Sequence, residues 1–168
     1  MNRDPVANSL LAALPRKEYQ HLLNSLEPVT LAFGEILYEP GKPIRHVYFP
    51  CDSLVSLLTP VDGHMALEIG LVGREGMLGI PLALGVNDSP VRALVRGAGT
   101  ALRMKAARFR SEHEKYGSLH SELSRYIHEQ ILNLDSAQKQ AVFDYLYWNS
   151  QPANGPGSAR FTIATPNM

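Results

Sequence analysis

With one cysteine, Cys51, in 168 residues, the chain can form no intrachain disulfide and hold no cluster by its own set of thiolates. An excess of one charge is missing too. Lys plus Arg and Asp plus Glu each number 16, so whole-chain electrostatics give no drive toward nucleic acid. No apolar run reaches the roughly 20 residues that cross a bilayer. The N-terminal stretch MNRDPVANSLLAALPRKEY has polar and charged flanks and no cleavage pattern after a long apolar core, so it does not read as a signal peptide. The expected compartment is the cytoplasm, with no membrane partner.

Catalytic signatures are absent as well. There is no GxSxG elbow, no P-loop and no CxxC. The histidines His21, His46, His64, His113, His120 and His128 are scattered, with no i, i+4 pair on a helix and no HxH on a strand. His120 and His128 share a helical face but stand about 12 Å apart by helix rise, too far to ligate one ion. Cys51 has Asp52 beside it and no cation in sequence to activate its thiol. Glu68 and Glu75 become a carboxylate pair only if folding joins them. The expectation is therefore a non-enzyme with no metal site and no cofactor.

What is present falls into four parts: 1–28, 29–104, 105–148 and 149–168. In the first, Asn8-Ser9 can cap a short helix at Leu10–Leu14, and Pro15 opens a second that Pro28 ends. The second part alternates short apolar runs with turn residues: Val29–Phe33, Ile36–Tyr38, Val47–Phe49, Ser53–Leu58, Met65–Val72, Ala93–Arg96 and Thr100–Met104. That spacing predicts an antiparallel sandwich or barrel. Asp62-Gly63 marks a tight hairpin. The third part predicts a short helix over 105–114 and a longer one that Ser118 can cap. On the longer helix Leu119, Leu123, Tyr126, Ile127, Ile131, Leu134 and Tyr145 recur at helical spacing. A stripe this long needs a cover, which is either the chain's own sheet or a second copy, and the second copy is the favoured reading. The fourth part, rich in Pro, Gly, Asn and Ser, has no periodicity and is expected to be a disordered tail.

The stretch LVGREGMLGIPLALGVNDSPVRALV, residues 71–95, sets Gly73, Gly76 and Gly79 three apart. A short apolar segment, the turn Asn87-Asp88-Ser89-Pro90 and a strand-like run follow. Such a cassette either wraps a small anionic ligand, with backbone N–H groups brought close by glycine, or simply connects strands.

The order of these parts, with FGEILYEPGKPIRHVYFP, LEIGLVGREGMLG and VRALVRGAGTALRM, resembles the sensory half of the Crp/Fnr family of bacterial transcription regulators. The resemblance implies a double-stranded β-helix or jelly-roll barrel of the cyclic nucleotide-binding-like kind, followed by a long dimerisation helix. In that family, cyclic-nucleotide binders carry Gly-Glu before the short helix and Arg followed by Ser/Thr-Ala after it. Here Gly79 and Ala93 match. Ile80 stands where the ribose-binding Glu would be, Val91 where the phosphate-binding Arg would be, and Arg92 in the Ser/Thr slot. Strand side chains alternate faces, so Arg92 is expected to point away from a phosphate.

The resemblance thus implies ligand contacts from Gly76, Gly79, Ile80, Ser89, Val91, Arg92 and Ala93, with cyclic nucleotide disfavoured and the effector unknown. The dimer interface would come from Leu119, Leu123, Tyr126, Ile127, Ile131 and Leu134. Family members continue into a helix-turn-helix, which residues 149–168 cannot build. The DNA-binding half is accordingly expected to be absent. The partners implied are a second copy, a full-length relative in a heterodimer, and DNA only in a form that carries that module. Two alternatives stand beside this reading. One is a stand-alone interaction module without effector. The other is a cupin-type metalloenzyme, for which His46 and His64 are the barrel histidines.

Overall fold

The computed structural model describes residues 8–61 and 64–135. The expected Asp62-Gly63 turn, Tyr145 and the 149–168 tail lie outside them. The described part begins with α1 (Ser9–Ala12) and α2 (Arg16–Leu23). Asn8 is the reason α1 starts where it does: its Oδ1 accepts from the backbone N–H groups of Leu10 at 3.1 Å and Leu11 at 3.2 Å. Its Nδ2 donates to the carbonyls of Pro50 and Gly76, both at 2.9 Å. Asn8 is fully buried, and these four bonds fill nearly all its hydrogen-bonding capacity.

Among the described residues seven strands follow: β1 (Glu27–Leu31), β2 (Ile36–Tyr38), β3 (His46–Pro50), β4 (Leu54–Val61), β5 (His64–Val72), β6 (Arg92–Gly97) and β7 (Gly99–Lys105). One sheet has the order β1-β7-β3 and the other β2-β6-β4-β5, and every pairing is antiparallel. The all-antiparallel architecture expected from the turn spacing is present. Among the described residues these strands form two separate sheets, and no closed sheet joins them into a barrel. Inward residues of both, among them Val47 and Phe49 of β3, Val55 of β4, Val95 of β6 and Met104 of β7, belong to one core cluster. Pro60 is tolerated inside β4 because β6 pairs only with Leu54–Leu58, so no ladder bond to β6 is lost. The register of β4 against β5 shifts around it.

Between β5 and β6 lies α3 (Ile80–Ala83); after β7 come α4 (Ala106–Lys115) and α5 (Gly117–Asn133). Tyr116 alone separates α4 from α5. Its extended backbone ends α4, and its carbonyl accepts from the His120 N–H at 3.2 Å. This tight joint folds α5 back onto the body of the chain.

The fold-back corrects one expectation. Leu119 and Leu123 are each 1% exposed and Tyr126 is 6% exposed, all within the chain's own core. They are therefore not a surface offered to a second copy. The physical reason is proximity: an apolar helix face tethered by one residue meets its own sheets before any other molecule. Ile127 and Leu134 are half-buried, Leu132 is 62% exposed, and the Ile131 side chain lies outside the description.

Leu123→Ala should lower the unfolding free energy by about 2–5 kcal/mol, the usual cost of a large-to-small change in a core. Leu132→Ala should change it by less than about 0.5 kcal/mol. Urea denaturation of both variants checks this, and equal midpoints would contradict the packing of α5.

Candidate functional site

A cavity of about 200 Å³ opens where the glycine cassette, the inner face of the four-stranded sheet and the second half of α5 meet. Each wall follows from local sequence. Gly79 has φ +106°, a conformation that side chains resist, and a Cβ there would lie 2.6 Å from Val47 Cγ1. That residue turns the chain into α3, which carries Ile80, Pro81 and, just beyond it, Leu84 onto one wall. The sheet supplies Tyr38, Leu57, Ile69, Gly70 and Val72. From α5 come Tyr126, Ile127, Gln130 and Leu134, a helical i, i+4, i+8 row with Ile127 beside it.

Tyr126 is seated on Gly76. Any Cβ at Gly76 would collide with the Tyr126 ring and hydroxyl, so the bare Cα lets the helix approach the cassette. Burial is the main cause that pushes the Tyr126 phenol up to about 12, with Glu75 adding to it and the Met77 backbone partly offsetting it. Burial also raises the Tyr38 phenol well above its usual range, with Tyr48 contributing.

The polar atoms at the walls are largely committed to the protein. Tyr38 Oη donates to the His46 carbonyl at 2.6 Å. Ser89 Oγ donates to the Val91 carbonyl at 2.8 Å and accepts from the Val91 N–H at 3.3 Å. No charged side chain lines the cavity among the described residues. Pro81, at the second position of α3, also removes one N–H from that helix end.

Of the seven residues the sequence proposed for ligand contact, Gly79, Ile80, Ser89 and Val91 line the cavity. Arg92, Ala93 and Gly76 do not. Arg92 leaves β6 on the outer face, where its guanidinium pairs with Glu39 at 3.1 Å. Ala93 and Val95, on the inner face of β6, are fully buried in the core. Gly76 serves as the seat of Tyr126. The sequence reading missed the contribution of α5, although its signal was visible: Ile127 and Leu134 belong to the apolar stripe assigned there to a dimer. Gln130, polar and on the same face, carried no signal of its own. No group of three or more His, Cys, Asp or Glu side chains converges anywhere among the described residues.

No protein-family profile matches this chain, and no curated protein matches it. Solved structures do. A regulatory subunit of a cAMP-independent protein kinase A from Trypanosoma brucei, a mutant bound to cAMP, superposes with a TM-score of 0.66 at 13% identity, over 83% of this chain and 48% of that one. This chain thus spans about half the length of that neighbour. The N-terminal domain of a transcriptional regulator from Streptomyces coelicolor gives 0.55 at 22% identity, over 74% of this chain and 86% of that one. The sensor domain of the transcriptional regulator DNR from Pseudomonas aeruginosa gives 0.57 at 14% identity, over 73% and 91%. These likenesses show the fold, which is cyclic nucleotide-binding-like.

The phenol of Tyr126 should titrate near pH 12 in the folded chain against about 10 for an exposed tyrosine. Its folded value is raised, so the stability it confers is present below pH 10 and is lost as pH climbs from about 10 to 12. Absorbance at 295 nm of wild type minus Tyr126→Phe measures the titration, and a difference centred at pH 10 would contradict the seat. Gly76→Ala should displace α5 and cost about 1–3 kcal/mol by overpacking, read by chemical denaturation.

Proposed function

We propose that this chain is the sensory domain of a Crp/Fnr-type transcription regulator and that its effector is a compact, uncharged, largely apolar molecule. The observation that carries the reading is the cavity itself: glycine cassette on one side, α5 on the other, and no charged side chain among its described walls. A cyclic phosphate placed there would leave water without a cation or a free donor fork to replace it, and burying such a charge unpaired is prohibitive. An apolar cavity, by contrast, stays dry and gains by taking in an apolar guest. Its volume is below the roughly 300 Å³ at which ligand pockets usually begin, which favours a small guest. The neighbours are described as regulatory or sensor domains rather than enzymes, which supports a non-enzymatic role.

In this reading α5 is the reporter. Tyr126, Ile127, Gln130 and Leu134 touch the cavity, so a guest that prefers one position of α5 shifts the chain toward it. The shift is no larger than the guest's differential affinity for the two positions. The output passes to a second copy along the part of α5 that the core leaves free, where Leu132 stands exposed. A stand-alone interaction module lacking an effector is the competing reading, and ligand-induced stabilisation separates the two. Among the described residues no helix is long and apolar enough to cross a membrane.

The experiment is a thermal shift with benzene, indole and short aliphatic alcohols as probes beside cyclic AMP. A probe at 100 times its Kd should add about 2.7 kcal/mol, a rise of several degrees. Cyclic AMP at millimolar concentration should add nothing, and Ile80→Trp, which fills the cavity, should abolish the shift. Stabilisation by cyclic AMP, or by none of the probes, would overturn the reading.

A further inference from the structure

Outside the cavity, the tight joint between α4 and α5 brings together two histidines that lie seven positions apart. His113 Nε2 and His120 Nδ1 face each other at 3.1 Å, with ring centroids 4.9 Å apart. We propose that His113 and His120 form a two-histidine chelate for a divalent late transition-metal ion, Cu²⁺ or Ni²⁺ ahead of Zn²⁺, clamping α4 to α5.

The bite of the pair points to this class. Two imidazole nitrogens bound at about 2.0–2.1 Å to one ion lie about 2.9 Å apart at a right-angled site and about 3.4 Å apart at a tetrahedral one. The separation of 3.1 Å matches the spacing of adjacent positions of a tetragonal ion once the rings turn from facing each other to face the ion, and tetragonal nitrogen sites select Cu²⁺ and Ni²⁺. The pair is also held in place. His113 stacks on Phe109, which is fully buried, with centroids 5.8 Å apart and planes 22° apart. The backbone of His120 is tied to the Tyr116 carbonyl. The site opens to solvent on the His120 side, so an ion can enter without unfolding. Among the described residues no third His, Cys, Asp or Glu completes a three-ligand cluster, so water fills the remaining positions. Glu114 is the acidic neighbour that acts on His113, and its charge favours a bound cation. Without metal the same two nitrogens share one hydrogen bond.

The two-histidine site stands apart from the proposed effector. It joins α4 to the first turn of α5, the helix that walls the cavity, about two turns before Ile127, so an ion there would stiffen the reporter element at its root.

The test uses untagged full chain titrated with CuCl₂, read by electron paramagnetic resonance and by thermal melting. One Cu²⁺ per chain is expected, with hyperfine structure from two nitrogen donors and a rise in the melting midpoint. His113→Gln and His120→Gln should each weaken binding at least tenfold, and His128→Gln, on an exposed part of the same helix, should leave it unchanged. Circular dichroism confirms that each variant is folded, and the nitrogen count on wild type stands independently of the variants. Binding that survives both substitutions, a spectrum with no nitrogen pair, or no copper bound at micromolar concentration would each overturn the proposal.

Discussion

Three parts of the molecule meet on a residue without a side chain. The bare Cα of Gly76 accepts the Tyr126 phenol of α5. Its carbonyl takes a hydrogen bond from buried Asn8. Its N–H bonds the Gly73 carbonyl at 3.2 Å within the cassette. The N-terminal helix, the cassette and α5 are therefore positioned against one another at a single point. A side chain there would have to displace an aromatic ring packed into a core, and close-packed interiors do not yield that space without cost. The cavity exists because this seat holds α5 at a set distance from the sheet.

The chemistry of the cavity follows from where the charges went. Arg92, the cation in sequence beside the cavity wall, is turned outward by strand alternation and neutralised by Glu39. The Tyr38 and Ser89 hydroxyls serve neighbouring carbonyls. The remaining surface is aliphatic and aromatic except for Thr59 and Gln130, both uncharged. In such a setting shape and apolar contact decide what binds, and water is a poor competitor for the space. Ion pairs are kept elsewhere: Arg103 with Glu27 across β7 and β1, and Arg125 with Glu122 and Glu129 along the solvent face of α5. Surface pairs of this kind add little stability, and none of them reaches the cavity.

Much of the fold was legible because its signals are local. Asn8 before an apolar pair is a cap, and it is the cap. Turn residues between short Val-, Leu- and Tyr-rich runs marked strand positions to within a few residues. The short helix expected over 105–114 is α4 at Ala106–Lys115, and the longer one expected from a Ser118 cap and apolar spacing is α5, which starts at Gly117. Half of the candidate site was legible for the same reason: Gly79, Ile80, Ser89 and Val91 belong to one continuous cassette. The rest comes from earlier strands, at Tyr38, Leu57, Ile69, Gly70 and Val72, and from α5, at Tyr126, Ile127, Gln130 and Leu134, all distant in the chain from that cassette. How the strands divide between two sheets was not legible, because it depends on pairings between distant strands. The expectation of a dimer seam at Leu119, Leu123 and Tyr126 failed because an amphipathic stripe records only that it will be covered.

The order of residues was enough to fix the alternation that carries Arg92 away from Ala93 and the glycines at which the backbone can turn or be approached. Those are consequences of side-chain chemistry and of the two- and 3.6-residue periods, which act over a few positions. Folding in three dimensions added the partner of each face: α5 on its own sheets, Tyr126 on Gly76, His113 against His120. Such choices rest on which surfaces the connections bring within reach and on how well they fit, properties that no short stretch of chain contains.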